Sequence, residues 1–201
     1  MLRQALFLIL APVAALAAEG PSFDCAGAES SAEELVCSDP GLAALDRRVA
    51  DRYAAAMAAA ESLGSGAEQA AADLRAYQRG WIKGRDDCWK AEDLRACVEG
   101  QYLMREAELV TRWMLEEPFS TASWICGGNP ANEVVTMFFG TELPSVRFER
   151  GDRIDTGTQV RTGSGARYDG SFGRYIWMKG REATYRDPDP DGTEYSCVLS
   201  E

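Results

Sequence analysis

The sequence contains no histidine. This absence excludes any mechanism that uses an imidazole base, including the Ser–His–Asp triad, as well as the usual mixed Cys/His zinc sites. No two cysteines have the C-x-x-C spacing of a zinc site or a thioredoxin-type motif. Positive charge is also scarce, because 21 Lys and Arg residues stand against 32 Asp and Glu residues, for a net charge of −11. Such a chain suits neither nucleic acid nor an anionic membrane surface, and it suits a basic protein partner.

Long apolar runs are absent as well, so no segment is expected to cross a bilayer as a permanent helix. The longest run, residues 5–15, follows a positively charged start and leads into Ala-Leu-Ala at 15–17, which has the small-x-small form that signal peptidase cleaves. We therefore predict a signal peptide at residues 1–17 and release into the periplasm after cleavage at Ala17. Since the first cysteine is Cys25 and no lipobox precedes it, we expect no lipid anchor.

Residues 22–117 have the three- and four-residue spacing of apolar side chains that is typical of helices. Asp39 followed by Pro40 predicts a helix start, with the aspartate as N-cap and the proline at the first helical position. The Gly-Ser-Gly sequence at 64–66 separates this helix from a second one, which is expected to reach Cys88. A third helix completes a small helical domain.

Residues 122–201 change to a period of two, in which apolar side chains alternate with mostly polar neighbours. Glycine, proline and aspartate interrupt this pattern at short intervals, which predicts an antiparallel barrel or sandwich. The fold class is therefore α+β, with a small disulfide-linked helical bundle followed by an antiparallel β domain. Tyr175 and Trp177 are expected on the core-facing side of their strand. Cys126 and Cys197 fall in the first and last predicted strands, so a bond between them could close the sheet.

Six cysteines in a chain that is predicted to be exported favour three disulfide bonds, with no metal site and no cofactor. In the helical half, Cys37 opens the first predicted helix and Cys88 closes the second. Antiparallel packing would bring these two ends together, which predicts a Cys37–Cys88 bond and leaves Cys25 for Cys97. The two other pairings of these four cysteines remain open on the sequence alone.

Ten residues of the helical half form a recognisable pattern of cysteines, aromatic residues and charged residues. They are Cys25, Cys37, Leu45, Asp46, Gln78, Trp81, Arg85, Cys88, Cys97 and Tyr102. This pattern resembles the cysteine-rich helical domain at the N-terminus of LprI-type lysozyme inhibitors, over nearly all of residues 22–112.

The β half carries a Ser-Gly-Ala-Arg-Tyr motif at 164–168 and an aromatic strand that ends in Lys-Gly at 175–180, with Cys126 and Cys197 on either side. Together these features resemble the MliC/PliC inhibitors of c-type lysozyme over residues 122–200. The resemblance implies a closed antiparallel β-barrel, a Cys126–Cys197 bond, and a periplasmic inhibitor rather than an enzyme, with c-type lysozyme as its partner. It also implies that the target is bound around Ser164, Gly165, Tyr168, Lys179 and Gly180.

The chemistry of the two principal residues agrees with that role. A lysozyme cleft contains a protonated general acid and an ionised carboxylate. Ser164 lies between two glycines and offers a small hydroxyl on a loop whose backbone can approach a cleft floor closely. Lys179 offers a compact positive charge. Because Lys179 would share the core-facing side of its strand with two aromatic residues, we expect a two-residue Gly180-Arg181 turn to end the strand and free the ammonium at the rim.

Other interpretations of the same residues are weaker. Ser164 as a nucleophile would lack a histidine base. The Asp187-x-Asp189-x-Asp191 sequence copies the start of a calcium loop, but Val198 stands where the bidentate glutamate belongs. The main alternative to an inhibitor is a non-catalytic envelope module that binds another protein or a glycan.

Overall fold

The computed structural model describes residues 20–200, so the predicted signal peptide at 1–17 lies outside the described residues. Within this range the chain forms α-helices first and β-strands afterwards. The helices are Ser31–Ser38 (α1), Pro40–Glu61 (α2), Ala67–Asp86 (α3) and Leu94–Trp113 (α4). None of the helices in this part of the chain is long and apolar enough to span a bilayer.

Helix α2 begins where the sequence predicts, at Asp39 and Pro40. The Asp39 side chain accepts hydrogen bonds from the backbone N–H groups of Gly41 (2.8 Å) and Leu42 (3.1 Å). These N–H groups have no partner inside the helix, so the side chain satisfies them. The bond from Leu42 and the neighbouring Arg95 guanidinium hold the pKa of Asp39 below its usual value. The predicted N-cap is confirmed.

Helix α1 has no counterpart among the three predicted helices. Ser30 and Glu33 form a capping box at its start, in which the Ser30 hydroxyl accepts from the Glu33 N–H and the Glu33 carboxylate accepts from the Ser30 N–H. Because this extra helix precedes α2, Cys37 lies near its end and not at the opening of α2. The helix thereby brings Cys37 next to Cys25, which lies in a short 3₁₀ turn just before it.

The disulfide bonds of the helical half are therefore Cys25–Cys37 and Cys88–Cys97. The predicted pairs Cys37–Cys88 and Cys25–Cys97 are wrong, because that prediction lacked α1. The bonded cysteines are only 12 and 9 residues apart in sequence. Each bond consequently braces a local connection, the first before α1 and the second between α3 and α4, and neither joins two distant helices.

A buried polar network lies where the helices meet. The Tyr102 hydroxyl accepts a hydrogen bond from Arg85 Nη1 (3.0 Å) and donates one to Asp46 Oδ1 (2.9 Å). All three residues are buried, and removal from water raises the pKa of Tyr102. Arg85 also pairs with Asp86 at 2.7 Å. Since Asp46, Arg85 and Tyr102 belong to the pattern that resembles LprI-type domains, part of that pattern describes the helical core.

The strands form a closed barrel in which each strand pairs antiparallel with the next and the last returns to the first. They are Ser120–Cys126 (β1), Glu133–Phe139 (β2), Ser145–Arg150 (β3), Arg153–Val160 (β4), Ala166–Gly170 (β5), Tyr175–Lys179 (β6), Glu182–Arg186 (β7) and Glu194–Leu199 (β8). Cys126 and Cys197 are opposite each other in the β1–β8 pair and form a disulfide bond. The predicted α+β fold, the barrel and this bond are confirmed.

The side chains of β6 face the opposite way from the prediction. Ile176 is fully buried inside the barrel, whereas Tyr175 and Trp177 lie on the outer face and stay partly exposed. The register fixes this orientation, since Ile176 pairs with Tyr185, which is buried in the barrel core. Lys179 therefore lies on the outer face as well, and the orientation of β6 keeps its ammonium out of the core.

Helix α4 packs against the outer surface of β3 and β4. Arg147 of β3 donates hydrogen bonds from Nη1 to the backbone carbonyls of Arg112 (2.7 Å) and Thr111 (3.4 Å). These carbonyls belong to the last turn of α4, where intrahelical partners are lacking. Arg147 thus supplies hydrogen-bond donors to the carbonyls at the end of α4 and links the helix to the barrel. A second link joins Arg48 of α2 to Glu142, in the β2–β3 connection, at 2.6 Å.

Replacing Tyr102 with phenylalanine tests the buried network. The substitution keeps the ring but removes one buried hydrogen-bond partner from both Arg85 and Asp46, so the free energy of unfolding should fall by about 1–3 kcal/mol. Urea denaturation followed by far-UV circular dichroism measures the change. Tyr77→Phe is the matched control, because Tyr77 is 61% exposed and its change should be below about 0.5 kcal/mol. Equal effects of the two substitutions would contradict a structural role for the network.

Candidate functional site

Two connections at one end of the barrel bring the principal predicted site residues together. Residues 161–165 link β4 to β5, and Gly180-Arg181 link β6 to β7. The β5–β6 register places the first connection beside the end of β6. Ser164 and Lys179 are therefore neighbours on one rim of the barrel, and both are exposed.

Gly165 allows the serine loop to lie against β6. Its φ is +72°, in the left-handed region. A Cβ at this position would lie 2.2 Å from the Met178 carbonyl oxygen and 3.0 Å from Lys179 Cγ. Because no side chain fits in that space, only glycine permits this close approach. Gly165 thus positions the adjacent Ser164 against the strand that carries Lys179.

Trp177 joins the serine loop to the lysine. Its indole N–H donates a hydrogen bond to the Ser164 backbone carbonyl at 2.9 Å. The ammonium nitrogen of Lys179 lies 3.9 Å from the centroid of the Trp177 ring, in a cation–π interaction. Within the loop, the Thr162 hydroxyl lies within hydrogen-bond distance of the Ser164 carbonyl (3.3 Å) and the Gly165 carbonyl (3.2 Å). Two side chains therefore contact the Ser164 carbonyl and hold the loop in place.

Gly180 makes the turn that presents Lys179. The β6–β7 register pairs Lys179 with Glu182, which leaves Gly180 and Arg181 as a two-residue turn with φ of +66° at the glycine. A positive φ at the first turn position is what a type I′ or II′ hairpin requires. The predicted turn is confirmed, and it places Lys179 at the edge of the barrel wall.

Tyr168 lies inside the barrel, unlike the other predicted site residues. It is 6% exposed, and its ring packs against Phe138 with 5.2 Å between the centroids. Removal from water raises the pKa of its hydroxyl. Tyr168 therefore supports β5, which directly follows the serine loop, from within the core and does not face the rim.

The rim carries exposed positive charge although the protein as a whole is acidic. Arg161 and Arg181 are exposed on the same two connections that carry Ser164 and Lys179. Within residues 20–200, neither arginine nor Lys179 forms an ion pair with a carboxylate. Three cations beside a small hydroxyl are suited to a partner surface that presents carboxylates.

The acidic loop at 187–191 lies at the other end of the barrel, and its carboxylates bind arginines. Asp187 pairs with Arg150, and Asp189 pairs with Arg186 at 2.7 Å. The part of the chain that the structure describes contains no group of three or more side chains arranged to hold a metal ion. The loop therefore contributes ion pairs to the barrel end, with its first two aspartates already engaged.

Trp177 is the residue of the site whose place the sequence pattern predicts wrongly. Its apolar character suggests the core, but it lies on the outer face. A signal for this was present, because Trp177 and Lys179 are two residues apart and must share one face of the strand. An exposed lysine at this position therefore implies an exposed tryptophan beside it.

Comparison with known protein families agrees with the two parts of the fold. Residues 25–112 match the family model described as lysozyme inhibitor LprI. Residues 124–194 match the family model described as MliC, membrane-bound lysozyme-inhibitor of c-type lysozyme. The first match covers most of the helical half, and the second covers most of the barrel, including Ser164 and Lys179.

Similar proteins occur in mycobacteria. Proteins named lipoprotein LprI, from Mycobacterium bovis and from two strains of Mycobacterium tuberculosis, are each 29% identical to this chain over 162 residues. The similarity covers 79% of this chain and 75% of each relative. The helical half of the chain is thus similar to the LprI family and the barrel is similar to the MliC family, and both family models describe lysozyme inhibitors.

Proposed function

We propose that the protein inhibits c-type lysozyme by inserting the Ser164 loop and Lys179 into the active-site cleft of the enzyme. The two family matches support a lysozyme-inhibitor role in general and a lysozyme as the partner. The finer proposal rests on the rim of the barrel. The observation that carries it is the Trp177 side chain, which holds a hydroxyl-bearing loop and an ammonium side by side in an exposed position.

The rim complements a lysozyme cleft chemically. Such a cleft holds a protonated carboxylic acid and an ionised carboxylate on either side of the bond that is cleaved. Lys179 supplies the charge opposite to the ionised group, and the Ser164 hydroxyl can donate to one carboxyl or accept from the other. Arg161 and Arg181 extend the positive charge around these two residues. The rim would then occupy the place of the substrate, so inhibition would need no chemical step and no cofactor.

The arrangement is also ordered before binding. Immobilising a long side chain at an interface costs about 0.5–1.5 kcal/mol. Because Lys179 already lies over the Trp177 ring, and Gly165 already holds the loop against β6, part of this ordering precedes association. The acidic charge of the whole protein would in addition speed its encounter with a basic enzyme.

The protein would act outside the cytoplasm. Its mycobacterial relatives are named lipoproteins, and both matching families are lysozyme inhibitors, which indicates an extracytoplasmic protein. We propose the periplasm as the location, reached through the signal peptide that the sequence predicts at residues 1–17.

Alanine substitutions at Lys179 and Ser164 test the proposed site. Lys179→Ala should weaken binding by about 2–5 kcal/mol, because it leaves a carboxylate of the enzyme unpaired in a partly dry cleft. Ser164→Ala should cost less, about 1–3 kcal/mol, since only a neutral hydroxyl is lost. Lysis of bacterial cells by a c-type lysozyme, titrated with each variant, measures both changes.

The matched control is Lys83→Ala, at an exposed lysine of α3, which should inhibit like the parent protein. A g-type lysozyme assayed in parallel should remain active. If Lys179→Ala and Ser164→Ala both inhibit like the parent, the rim is not the site. If the parent protein inhibits no lysozyme at all, a module that binds another envelope protein or a glycan becomes the better interpretation.

A Trp177→Phe substitution tests whether the indole positions the site. Phenylalanine keeps an aromatic face for Lys179 but loses the N–H bond to Ser164, a bond of about 0.5–1.5 kcal/mol. We expect weaker inhibition and, in the unbound protein, larger amide motion at Gly165 by NMR relaxation. When Ser164 is already replaced by alanine, Trp177→Phe should reduce the affinity little further, because the hydroxyl that the indole positions is absent. Trp89→Phe, in the helical half, is the control, and identical behaviour of the two variants would refute the positioning role.

A further inference from the structure

A groove lies on the outer face of the barrel directly beside the proposed site. It has a volume of about 340 Å³, and Trp177 and Lys179 belong both to the groove and to the site. The register shows how β6, β7 and β8 build it, because residues opposite each other on neighbouring strands share a face. The outward side chains form two cross-strand rows, Trp177–Thr184–Ser196 and Lys179–Glu182–Val198.

Glu182 lies in the middle of the second row and forms no ion pair with a cation of the described chain. It is opposite Lys179 in the β6–β7 register, but the Lys179 ammonium lies over the Trp177 ring, 3.9 Å from its centroid. Among residues 20–200, no lysine or arginine forms an ion pair with Glu182. The groove therefore contains an exposed carboxylate whose charge is not neutralised within the described chain.

The other walls suit a long side chain with a polar end. Thr184 and Ser196 lie opposite each other on β7 and β8. Their short side chains form the floor of the groove, which therefore carries two hydroxyl groups. Val198, which is 55% exposed, and Trp177 offer apolar surface beside that floor. Arginine and lysine combine an apolar stem with a cationic end, and they bury the stem while the charge stays near polar groups.

We propose that this groove receives an arginine or lysine side chain from the rim of the bound lysozyme's cleft, with the cation paired to Glu182 and the stem against Val198. The inference rests on the proposed function, because the enzyme must first be seated on Ser164 and Lys179. Two neighbouring charges of the protein then pair with opposite charges of the enzyme. Lys179 pairs with a carboxylate, and Glu182 pairs with a cation. Such an alternation fixes the orientation of the partner and discriminates against lysozymes that lack the cation.

Glu182→Gln removes the charge and keeps the shape of the side chain. The dissociation constant for a c-type lysozyme should rise by about tenfold or more, mainly through faster dissociation, as measured by surface plasmon resonance on the full chain. Asp152→Asn is the matched control, because it removes one charge from the exposed β3–β4 turn at the opposite end of the barrel. It should change the dissociation constant by less than about twofold, since its charge is screened from the interface.

A second variant, Ser196→Tyr, fills the groove at an exposed position without changing the charge, and it should weaken binding as well. Lys179→Ala, measured in the same series, separates this inference from the proposed function. If Lys179→Ala weakens binding while Glu182→Gln and Ser196→Tyr bind like Asp152→Asn, the groove is not a contact and only this inference is overturned. If Lys179→Ala binds like the parent protein, the proposed site itself fails.

Discussion

The indole of Trp177 contacts both parts of the proposed site, and their relative position depends on it. Its N–H fixes the Ser164 carbonyl at 2.9 Å, and its ring holds the Lys179 ammonium 3.9 Å from the centroid. The backbone alone would fix neither group, because Ser164 lies in an exposed loop and a lysine side chain is flexible. Gly165 completes the arrangement, since its missing side chain lets the loop reach β6. One aromatic residue thereby holds the serine loop and the ammonium in a fixed relative position before binding.

The closed barrel is the frame that makes this feature rigid. Each strand is paired on both sides, and the Cys126–Cys197 bond joins the first strand to the last. Inside the barrel, Tyr168 and Ile176 anchor the two strands that carry the site, β5 and β6. The helical half is attached along a different surface, where Arg147 of β3 binds the last carbonyls of α4. The rim that carries the serine and the lysine therefore stays exposed.

The sequence predicts those parts of the structure that depend on neighbouring residues. Asp39 identifies the start of α2 and Gly180 identifies a hairpin turn, because caps and tight turns are set by local backbone chemistry. The disulfide bonds of the helical half depend on α1, an eight-residue helix too short for a periodic pattern, so the partner of Cys37 could not be predicted without it. The orientation of β6 is fixed by its pairing with β5 and β7, in which Ile176 is opposite the buried Tyr168 and Tyr185. The sequence alone indicates an outward Trp177 only through the face that it shares with Lys179. The candidate site was predicted as a set of residues, whereas the role of the indole emerged only from the orientation of the strand.

A double-mutant cycle across the interface tests the central claim most directly. Lys179→Ala is combined with a c-type lysozyme whose ionised active-site carboxylate is replaced by an amide, and calorimetric titration gives the binding free energy of all four pairs. If the ammonium meets that carboxylate, either change removes the same interaction, and the coupling energy should be about 1.5 kcal/mol or more. Changes that add to within about 0.5 kcal/mol would show that the two groups do not interact, and they would contradict the proposed insertion of the rim into the cleft.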